Sequence, residues 1–256
     1  MNLAKIKERI FRYQNEVLIL LATRGFISSD NSSISFFGND YSGYWFPERL
    51  ASSSGTIWGV GLGMSSTFEV ELGRKGYRIL GFEPDLRFFD RALVEFKEID
   101  ATLYPYGLWD RDGVFDSFGS SISLVNIFEN SNGNNDSLQI RDIHKVANSL
   151  DLQNQKSPRV LKMNIEGAER EILHALIEKP LPFEVIIFQA EFLLHLKFIK
   201  VSKKLFAALE LRRLLRDLAS HGYQLIHHCG NQFTLVSKSE DSRNSVKTVS
   251  EMPANN

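Results

Sequence analysis

Two hydrophobic patterns take turns along the chain from residue 56 onward. Short apolar runs predict buried strands, whereas apolar positions at helical spacing that end at glycine or a polar turn predict helices. The predicted strands are residues 56–60, 77–82, 101–106, 159–165, 183–190, 224–228 and 232–236. The predicted helices are residues 65–75, 86–99, 140–150, 168–178 and 203–221.

Strands that alternate with helices predict an α/β fold in which helices cover both faces of a parallel sheet. The last two predicted strands are close in sequence, so they would form an antiparallel edge. The predicted fold is therefore a doubly wound, mostly parallel sheet with an antiparallel edge. Ligands of such a sheet bind at the carboxyl ends of the strands, near the point where the strand order reverses.

The flanking segments predict less regular structure. Residues 3–24 have the pattern of an amphipathic helix that ends near Gly25. Residues 28–55 predict a loop region with buried aromatic anchors, and the polar stretch 107–157 predicts a hairpin around residues 114–121 before its helix. We divide the chain into an N-terminal helix and aromatic segment (1–50), a core domain (51–238) and a disordered tail (239–256).

Composition and charge exclude some classes of partner. The 256 residues carry 30 Lys and Arg against 31 Asp and Glu, a net charge of -1, so no overall field attracts nucleic acid. No apolar run reaches the ~20 residues of a membrane span. The single cysteine, Cys229, excludes an internal disulfide framework and is typical of a reducing compartment. We therefore expect a cytoplasmic protein that acts on a small molecule or a glycan; the sequence leaves its oligomeric state open.

The first chemical motif is a glycine-rich turn after the strand at 56–60. Gly59, Gly61 and Gly63 would let the backbone turn tightly and let a ligand approach main-chain atoms. A dinucleotide-binding loop has a further glycine or alanine where Ser66 stands here. The motif therefore favours a nucleoside ligand without a pyrophosphate over a nicotinamide cofactor.

The second motif follows the next strand, at Glu83 and Pro84. Glu83 comes 22 residues after Gly61, near the ~20 expected for an acid that binds ribose hydroxyls. A carboxylate accepts hydrogen bonds from both hydroxyls at once. The alternative is that Glu83 is a surface residue and Asp85 an N-cap of the following helix.

The third motif ends the strand predicted at 159–165. Strand alternation directs Asn164 and Glu166 to the same side, and Gly167 allows a sharp turn into the next helix. Glu169 and Glu166 fit a simpler role, because acidic side chains stabilise a helix N-terminus. That role leaves Asn164 unexplained, since an amide on a core strand needs hydrogen-bond partners.

Residues 161–173 (LKMNIEGAEREIL) resemble the signature of FkbM-type methyltransferases, usually an aspartate followed by I/V-E-G-A-E. Residues 41–45, 58–72, 81–85 and 222–231 resemble other segments of these methyltransferase-like proteins. The likeness covers roughly residues 40–237 in scattered motifs. It implies a class I (Rossmann-like) methyltransferase that uses S-adenosylmethionine, usually to methylate oxygen.

The resemblance also implies roles for particular residues. Gly59, Gly61 and Gly63 would line the methionine part of the cofactor, and Glu83 with Pro84 would hold the ribose. The adenine would lie by a segment formed by Gly107, Leu108, Trp109 and Asp110. Two positions depart from the family pattern: Gly59 stands where many class I enzymes have an acid, and Asn164 replaces the usual aspartate.

The acid that follows the strand at 183–190 is a candidate for catalysis. Glu191 matches an acid that recurs in the family, and Glu191 or Glu166 would be the general base while Asn164 orients the substrate or cofactor. Glu191 equally fits an exposed position at a strand end. An oxygen-rich divalent-cation site formed by Asn164, Glu166, Glu191 and His195 is a minor alternative. The run from His227 to Cys229 lacks a second ligand pair for zinc.

These observations and the resemblance predict an S-adenosylmethionine-dependent methyltransferase, and we expect an O-methyltransferase that acts on a sugar or small metabolite. Two other functions stay open. The first is a non-catalytic module on the same fold that binds a cofactor or a partner, because asparagine at position 164 cannot take a proton at neutral pH. The second is a nicotinamide-dependent oxidoreductase, which Ser66 disfavours.

Overall fold

The computed structural model describes residues 16–27, 33–116, 137–165, 167–190 and 201–238. The strands are β1 (Ile34–Phe37), β2 (Tyr44–Pro47), β3 (Thr56–Val60), β4 (Arg78–Phe82), β5 (Ala101–Tyr104), β6 (Gly107–Trp109), β7 (Gly113–Asp116), β8 (Ser137–Asp142), β9 (Arg159–Met163), β10 (Val185–Gln189), β11 (Tyr223–Cys229) and β12 (Gln232–Ser237). The helices are α1 (residues 16–23), α2 (Glu48–Ala51), α3 (Thr67–Arg74), α4 (Leu86–Glu95), α5 (Ile143–Ser149), α6 (Glu169–Glu178) and α7 (Val201–Ser220).

The central sheet has seven strands in the order β11-β12-β10-β9-β3-β4-β5. Strands β10, β9, β3, β4 and β5 are parallel to one another, whereas β12 runs antiparallel to both of its neighbours. The predicted fold class, a doubly wound and mostly parallel sheet with an antiparallel edge, is therefore confirmed. The chain adds β4 and β5 on one side of β3 and β9 and β10 on the other, so the strand order reverses between β3 and β9.

Helices cover the sheet on both faces because alternate strand residues point to opposite sides. Trp58 and Leu161 belong to a core that also contains side chains of α1, α5, α6 and α7. Ile57 and Val160 belong to a second core that contains side chains of α2, α3, α4 and the β1–β2 hairpin. The two packed faces fix the strand ends at which a ligand site can form.

The segment that was expected to be a loop contains a β-hairpin. Strands β1 and β2 pair antiparallel, and Tyr44 and Phe46 are buried, as the expected aromatic anchors. Asn39 stabilises the turn, because its side-chain oxygen accepts from the backbone N–H groups of Tyr41 and Ser42 at 3.0 and 2.9 Å. Strands of four residues are too short to show a clear alternation, which explains the missed elements.

The polar region after β5 forms a separate three-stranded sheet in the order β6-β8-β7. The hairpin expected around residues 114–121 lies largely outside the described residues, which omit 117–136. Its first residues belong to β7, which pairs antiparallel with β8. The following helix begins at Ile143 and not at residue 140. Asp142 ends the strand and caps the helix, because its side chain accepts from the N–H groups of His144 and Lys145.

The predicted N-terminal helix is described only from residue 16, and α1 ends where the chain turns at Gly25, whose φ is 87°. The tail from residue 239 lies outside the described residues. Across the described ranges, no helix is long and apolar enough to cross a membrane.

The two adjacent histidines of β11 lie on opposite faces of the sheet. The His227 ring packs on Trp45 with centroids 4.7 Å apart, and the His228 ring stacks on Phe233. This arrangement agrees with a packing role and not with a shared zinc site. Burial lowers the pKa of both imidazoles, and the neighbouring His228 lowers that of His227 further.

A neutral histidine in the folded state makes stability depend on pH. The unfolded chain takes up a proton near the ordinary pKa of 6.5, whereas the folded chain takes it up only at lower pH. The stability is therefore fully present above that pKa and is lost as the pH falls through it. We expect the free energy of unfolding in urea to fall between about pH 7.5 and about pH 5.5. The double variant His227→Phe/His228→Phe should show a smaller fall, and an equal fall in both proteins would contradict this origin.

Candidate functional site

The carboxyl ends of β3, β4 and β9 meet at the point where the strand order reverses. There β3 continues into the glycine loop, residues 61–66, which leads into α3. The N–H of Gly61 donates to Phe82 O of β4 at 2.9 Å, and the N–H of Asn164 donates to Val60 O at 3.0 Å. The glycine loop is thus fastened to both neighbouring strands before any ligand is considered.

Two glycines of the loop, Gly61 and Gly63, have left-handed backbones but different surroundings. Gly61 has a φ of +77°, and a Cβ there would collide with the carbonyl oxygen of Asn164. Gly63 has a φ of +52°, and no atom of the described residues lies within 4 Å of the place a Cβ would take. Gly61 therefore packs against β9, while Gly63 faces open space in which a ligand can approach the backbone.

Glu83 lies directly beside the glycine loop, as its spacing predicted. Its Oε2 accepts from the N–H groups of Leu62 and Gly63, both at 2.9 Å, and its Oε1 accepts from Asp85 N at 3.0 Å. Burial raises the pKa of Glu83, although these three N–H groups oppose the rise. The carboxylate is buried, so Glu83 is not a surface residue, and it still has lone pairs for further hydrogen bonds.

Asp85 has the capping role that was the alternative for this motif. Its Oδ1 accepts from the backbone N–H of Arg87 at 2.9 Å at the start of α4. The Arg87 guanidinium adds an ion pair at 2.6 Å. Burial would raise the pKa of Asp85, but the hydrogen bonds and charge of Arg87 lower it overall. The two acids of this motif therefore have separate tasks, one at the loop and one at the helix.

Arg91 of α4 contacts the glycine loop and was not singled out in the sequence. Its Nε donates to Gly63 O at 3.0 Å, and its Nη2 donates to Leu62 O at 3.3 Å and to Ser66 Oγ at 3.2 Å. Arg91 also pairs with Glu95 one turn along the helix. That spacing is common on solvent-exposed helix faces, so the contact with the loop could not be predicted from it.

Two polar residues that follow β9, Glu169 and Asn164, have different surroundings. Glu169 is fully buried, and its two oxygens accept from Ile165 N at 2.7 Å and Gly167 N at 2.9 Å. Glu169 thus lies in the first turn of α6, as expected, and its oxygens hold the turn that precedes the helix. Asn164 is half-buried, and the described residues form no hydrogen bond with its side-chain amide. That amide is available to a ligand.

Three candidate residues for catalysis or cation binding are not part of the described structure. Glu166, Glu191 and His195 all lie outside the described residues. Within the described ranges, no three His, Cys, Asp or Glu side chains are grouped so that they could hold a metal ion.

The segment expected beside the adenine forms β6. Gly107, Leu108 and Trp109 are all buried. Leu108 packs in the core beneath α1, α5, α6 and α7, and Trp109 belongs to a small cluster with Ile140. Gly107 lies against Pro84, since a Cβ there would be 3.3 Å from Pro84 Cγ. The segment thus adjoins the end of β4 through Gly107, while its two large side chains face the protein interior.

A buried ion pair lies between the glycine loop and the protein core. The sequence analysis did not predict it. Lys162 of β9 and Glu69 of α3 are 2.9 Å apart and almost completely buried. Lys162 Nζ also donates to Gly61 O at 3.1 Å. A lysine within an apolar strand was the signal that could have drawn attention to this pair, because lysine is seldom buried unless it is paired.

Comparison with known proteins gives only distant structural likenesses. No protein-family model matches the chain, and no curated protein matches it. The chain is similar to the Methanococcus jannaschii fibrillarin pre-rRNA processing protein, with a TM-score of 0.41 at 10% identity over 84% of this chain and 86% of that one. It is also similar to the Pyrococcus abyssi tRNA (uracil-54, C5)-methyltransferase in complex with S-adenosyl-L-homocysteine, with a TM-score of 0.32 at 14% identity over 79% of this chain and 43% of that one. Likenesses at this level do not decide what the present chain binds or does.

The two left-handed glycines provide a matched test of the loop. Gly63→Ala should cost only the strain of a left-handed residue, about 1 kcal/mol. Gly61→Ala adds the collision with Asn164 O and should cost more than about 3 kcal/mol. Urea unfolding of both variants measures the difference. Equal losses of stability would show that the loop does not pack against β9 as described.

Proposed function

We propose that this protein binds S-adenosylmethionine at the glycine loop and is a methyltransferase that methylates a hydroxyl of a sugar or small metabolite. The proposal depends most on one arrangement: Glu83 and the open side of Gly63 lie together at the strand-order reversal. An acceptor-rich carboxylate beside exposed backbone fits a ribose and its attached chain. The sequence resemblance, and not this geometry, supplies the identity of the cofactor.

Two observations argue against a nicotinamide cofactor. Ser66 stands where a dinucleotide-binding loop has glycine or alanine, and its buried hydroxyl donates to Leu62 O at 3.2 Å. The sheet also differs from the dinucleotide-binding order, in which the sixth strand lies directly beside the fifth. Here the antiparallel strand β12 lies between β10 and β11. Both favour a nucleoside ligand without a pyrophosphate.

In this proposal the chain holds the cofactor through backbone and carboxylate groups. Glu83, with Pro84 beside it, accepts from the ribose hydroxyls, while Gly61 and Gly63 line the methionine part. Gly59 contributes to that lining from the end of β3. When bound, S-adenosylmethionine supplies an electrophilic methyl group.

Gly107, Leu108 and Trp109 form the wall nearest the adenine in this proposal. Since both large side chains pack inward, we assign the adenine contact to the backbone of β6 and to Asp110. Asp110 is half-buried and follows Trp109 directly.

The catalytic part of the proposal rests on positioning and on proton removal. Holding the acceptor hydroxyl in line and excluding water supply much of the acceleration. Asn164 orients the acceptor through its free amide, but it cannot remove a proton. That task falls to Glu191 or Glu166, which follow adjacent parallel strands whose residues Phe188 and Met163 are in register.

The ribose contact is tested by calorimetry with S-adenosylhomocysteine. Glu83→Gln should weaken binding at least about tenfold, because a neutral amide accepts less strongly and places donors where acceptors are needed. Glu98→Gln, which changes an exposed acid, is the matched control and should bind like the unaltered protein. Tight binding of NAD with no binding of S-adenosylhomocysteine would replace the methyltransferase proposal with the oxidoreductase.

The base is tested by turnover with hydroxylated sugars and small metabolites, followed as S-adenosylhomocysteine formation. Glu191→Gln should lower kcat by about 10²–10⁴ with unchanged cofactor affinity. If Glu191→Gln leaves kcat unchanged, Glu191 is not the base, and Glu166→Gln then tests the other candidate. Cofactor binding without product across a broad acceptor panel would favour the non-catalytic module.

A further inference from the structure

We infer that Lys162 is a positioning residue that contacts the glycine loop from the protein core and fixes its shape. Glu69 holds the lysine in place. The inference rests on the proposed function only in taking this loop as the cofactor site. The contacts themselves are properties of the fold. Lys162 is a residue of β9, Glu69 comes from α3, and the loop connects β3 to α3.

The lysine ammonium has three neighbours: a carboxylate, a backbone carbonyl oxygen and an aromatic ring. Its Nζ lies 2.9 Å from Glu69 Oε1 and donates to Gly61 O at 3.1 Å. It also lies 5.0 Å from the centroid of the Tyr44 ring. Lys162 and Glu69 are 2% and 0% exposed, so water contributes little to holding them. The carboxylate, the carbonyl oxygen and the ring face all favour a positive charge at this position.

The cost of burying this pair suggests that it does more than fill the core. Two buried charges lose their hydration, and well-packed apolar side chains often stabilise a core as well as a buried ion pair does. Burial lowers the pKa of Lys162, but the Glu69 carboxylate, with Tyr44 and Glu83, raises it above its ordinary value. Lys162 therefore stays charged, which makes it a stronger donor to the loop carbonyl.

The loop carbonyl matters because it shares a rigid peptide unit with an amide that Glu83 uses. Gly61 C=O and Leu62 N–H belong to one planar peptide and point in opposite directions. Lys162 donates to the oxygen at 3.1 Å, and Glu83 accepts from the N–H at 2.9 Å. A cation and an anion thus hold the two ends of the same peptide. Its orientation decides where the Leu62 N–H points, and therefore where the Glu83 carboxylate can accept from it.

This arrangement also gives a reason for glycine at position 59. A Cβ there would lie 3.0 Å from Glu69 Oε1 and 3.1 Å from Glu69 Cγ, closer than nearly all such contacts. Gly59 therefore leaves room for the Glu69 carboxylate under the loop.

Three variants separate positioning from simple ion pairing: Lys162→Met, Glu69→Gln and the double variant. Both single variants break the ion pair, but only Lys162→Met removes the donor to Gly61. Hydrogen exchange of a peptide covering residues 61–66 in the full chain, without cofactor, reports the loop. We expect exchange at least about tenfold faster in Lys162→Met, which loses the donor to Gly61. The increase in Glu69→Gln should be clearly smaller, because Lys162 can still donate to Gly61 and to the amide oxygen of the new side chain.

The double variant Lys162→Met/Glu69→Gln avoids an unpaired buried charge. It should regain urea stability relative to Lys162→Met but keep the fast loop exchange, and S-adenosylhomocysteine should bind it about tenfold more weakly. Equal loop exchange in the two single variants, or wild-type exchange in a stable double variant, would overturn the inference. If the exchange results agree but the unaltered protein does not bind S-adenosylhomocysteine, the proposed function fails and the positioning role stands.

Discussion

The candidate site depends on the orientation of one peptide, the unit between Gly61 and Leu62. Lys162 donates to its carbonyl oxygen from inside the core, and Glu83 accepts from its N–H at the strand ends. Because the peptide is planar, neither contact can change without affecting the other. The position of the Glu83 carboxylate, which accepts from the N–H groups of Leu62 and Gly63, depends on this orientation.

Strand β9, α3 and α4 each supply a side chain that holds this peptide or its neighbours, either directly or through another side chain. Strand β9 supplies Lys162, α3 supplies Glu69, and α4 supplies Arg91, which donates to the carbonyl groups of Leu62 and Gly63. The loop therefore has its shape before a ligand arrives. A preorganised loop lowers the ordering cost of binding, which fits the proposed role of the loop as a cofactor site.

The sequence predicted the parts of the molecule that depend on local pattern. Apolar periodicity located the strands and helices of the sheet, and spacing placed Glu83 beside the glycines. Residue types near the strand ends also indicated that Asp85 caps a helix and that Glu169 lies at a helix N-terminus. The sequence could not predict that Lys162 contacts a carbonyl 101 residues away, or that Arg91 donates to the loop carbonyl groups. The β1–β2 hairpin was missed because strands of four residues carry little periodic signal. Strand β8 does alternate, with Leu138 and Ile140 buried, but its second half was assigned to the helix predicted from residue 140.

The central claim is that Glu83 and the glycine loop form a site for S-adenosylmethionine. A crystal structure of the protein with S-adenosylhomocysteine tests it most directly. We predict ribose hydroxyls within hydrogen-bonding distance of the Glu83 carboxylate, an unchanged Gly61–Leu62 peptide, and the sulfur facing the Asn164 end of β9. A ligand bound elsewhere, or a loop whose peptide has turned away from Lys162, would contradict the claim.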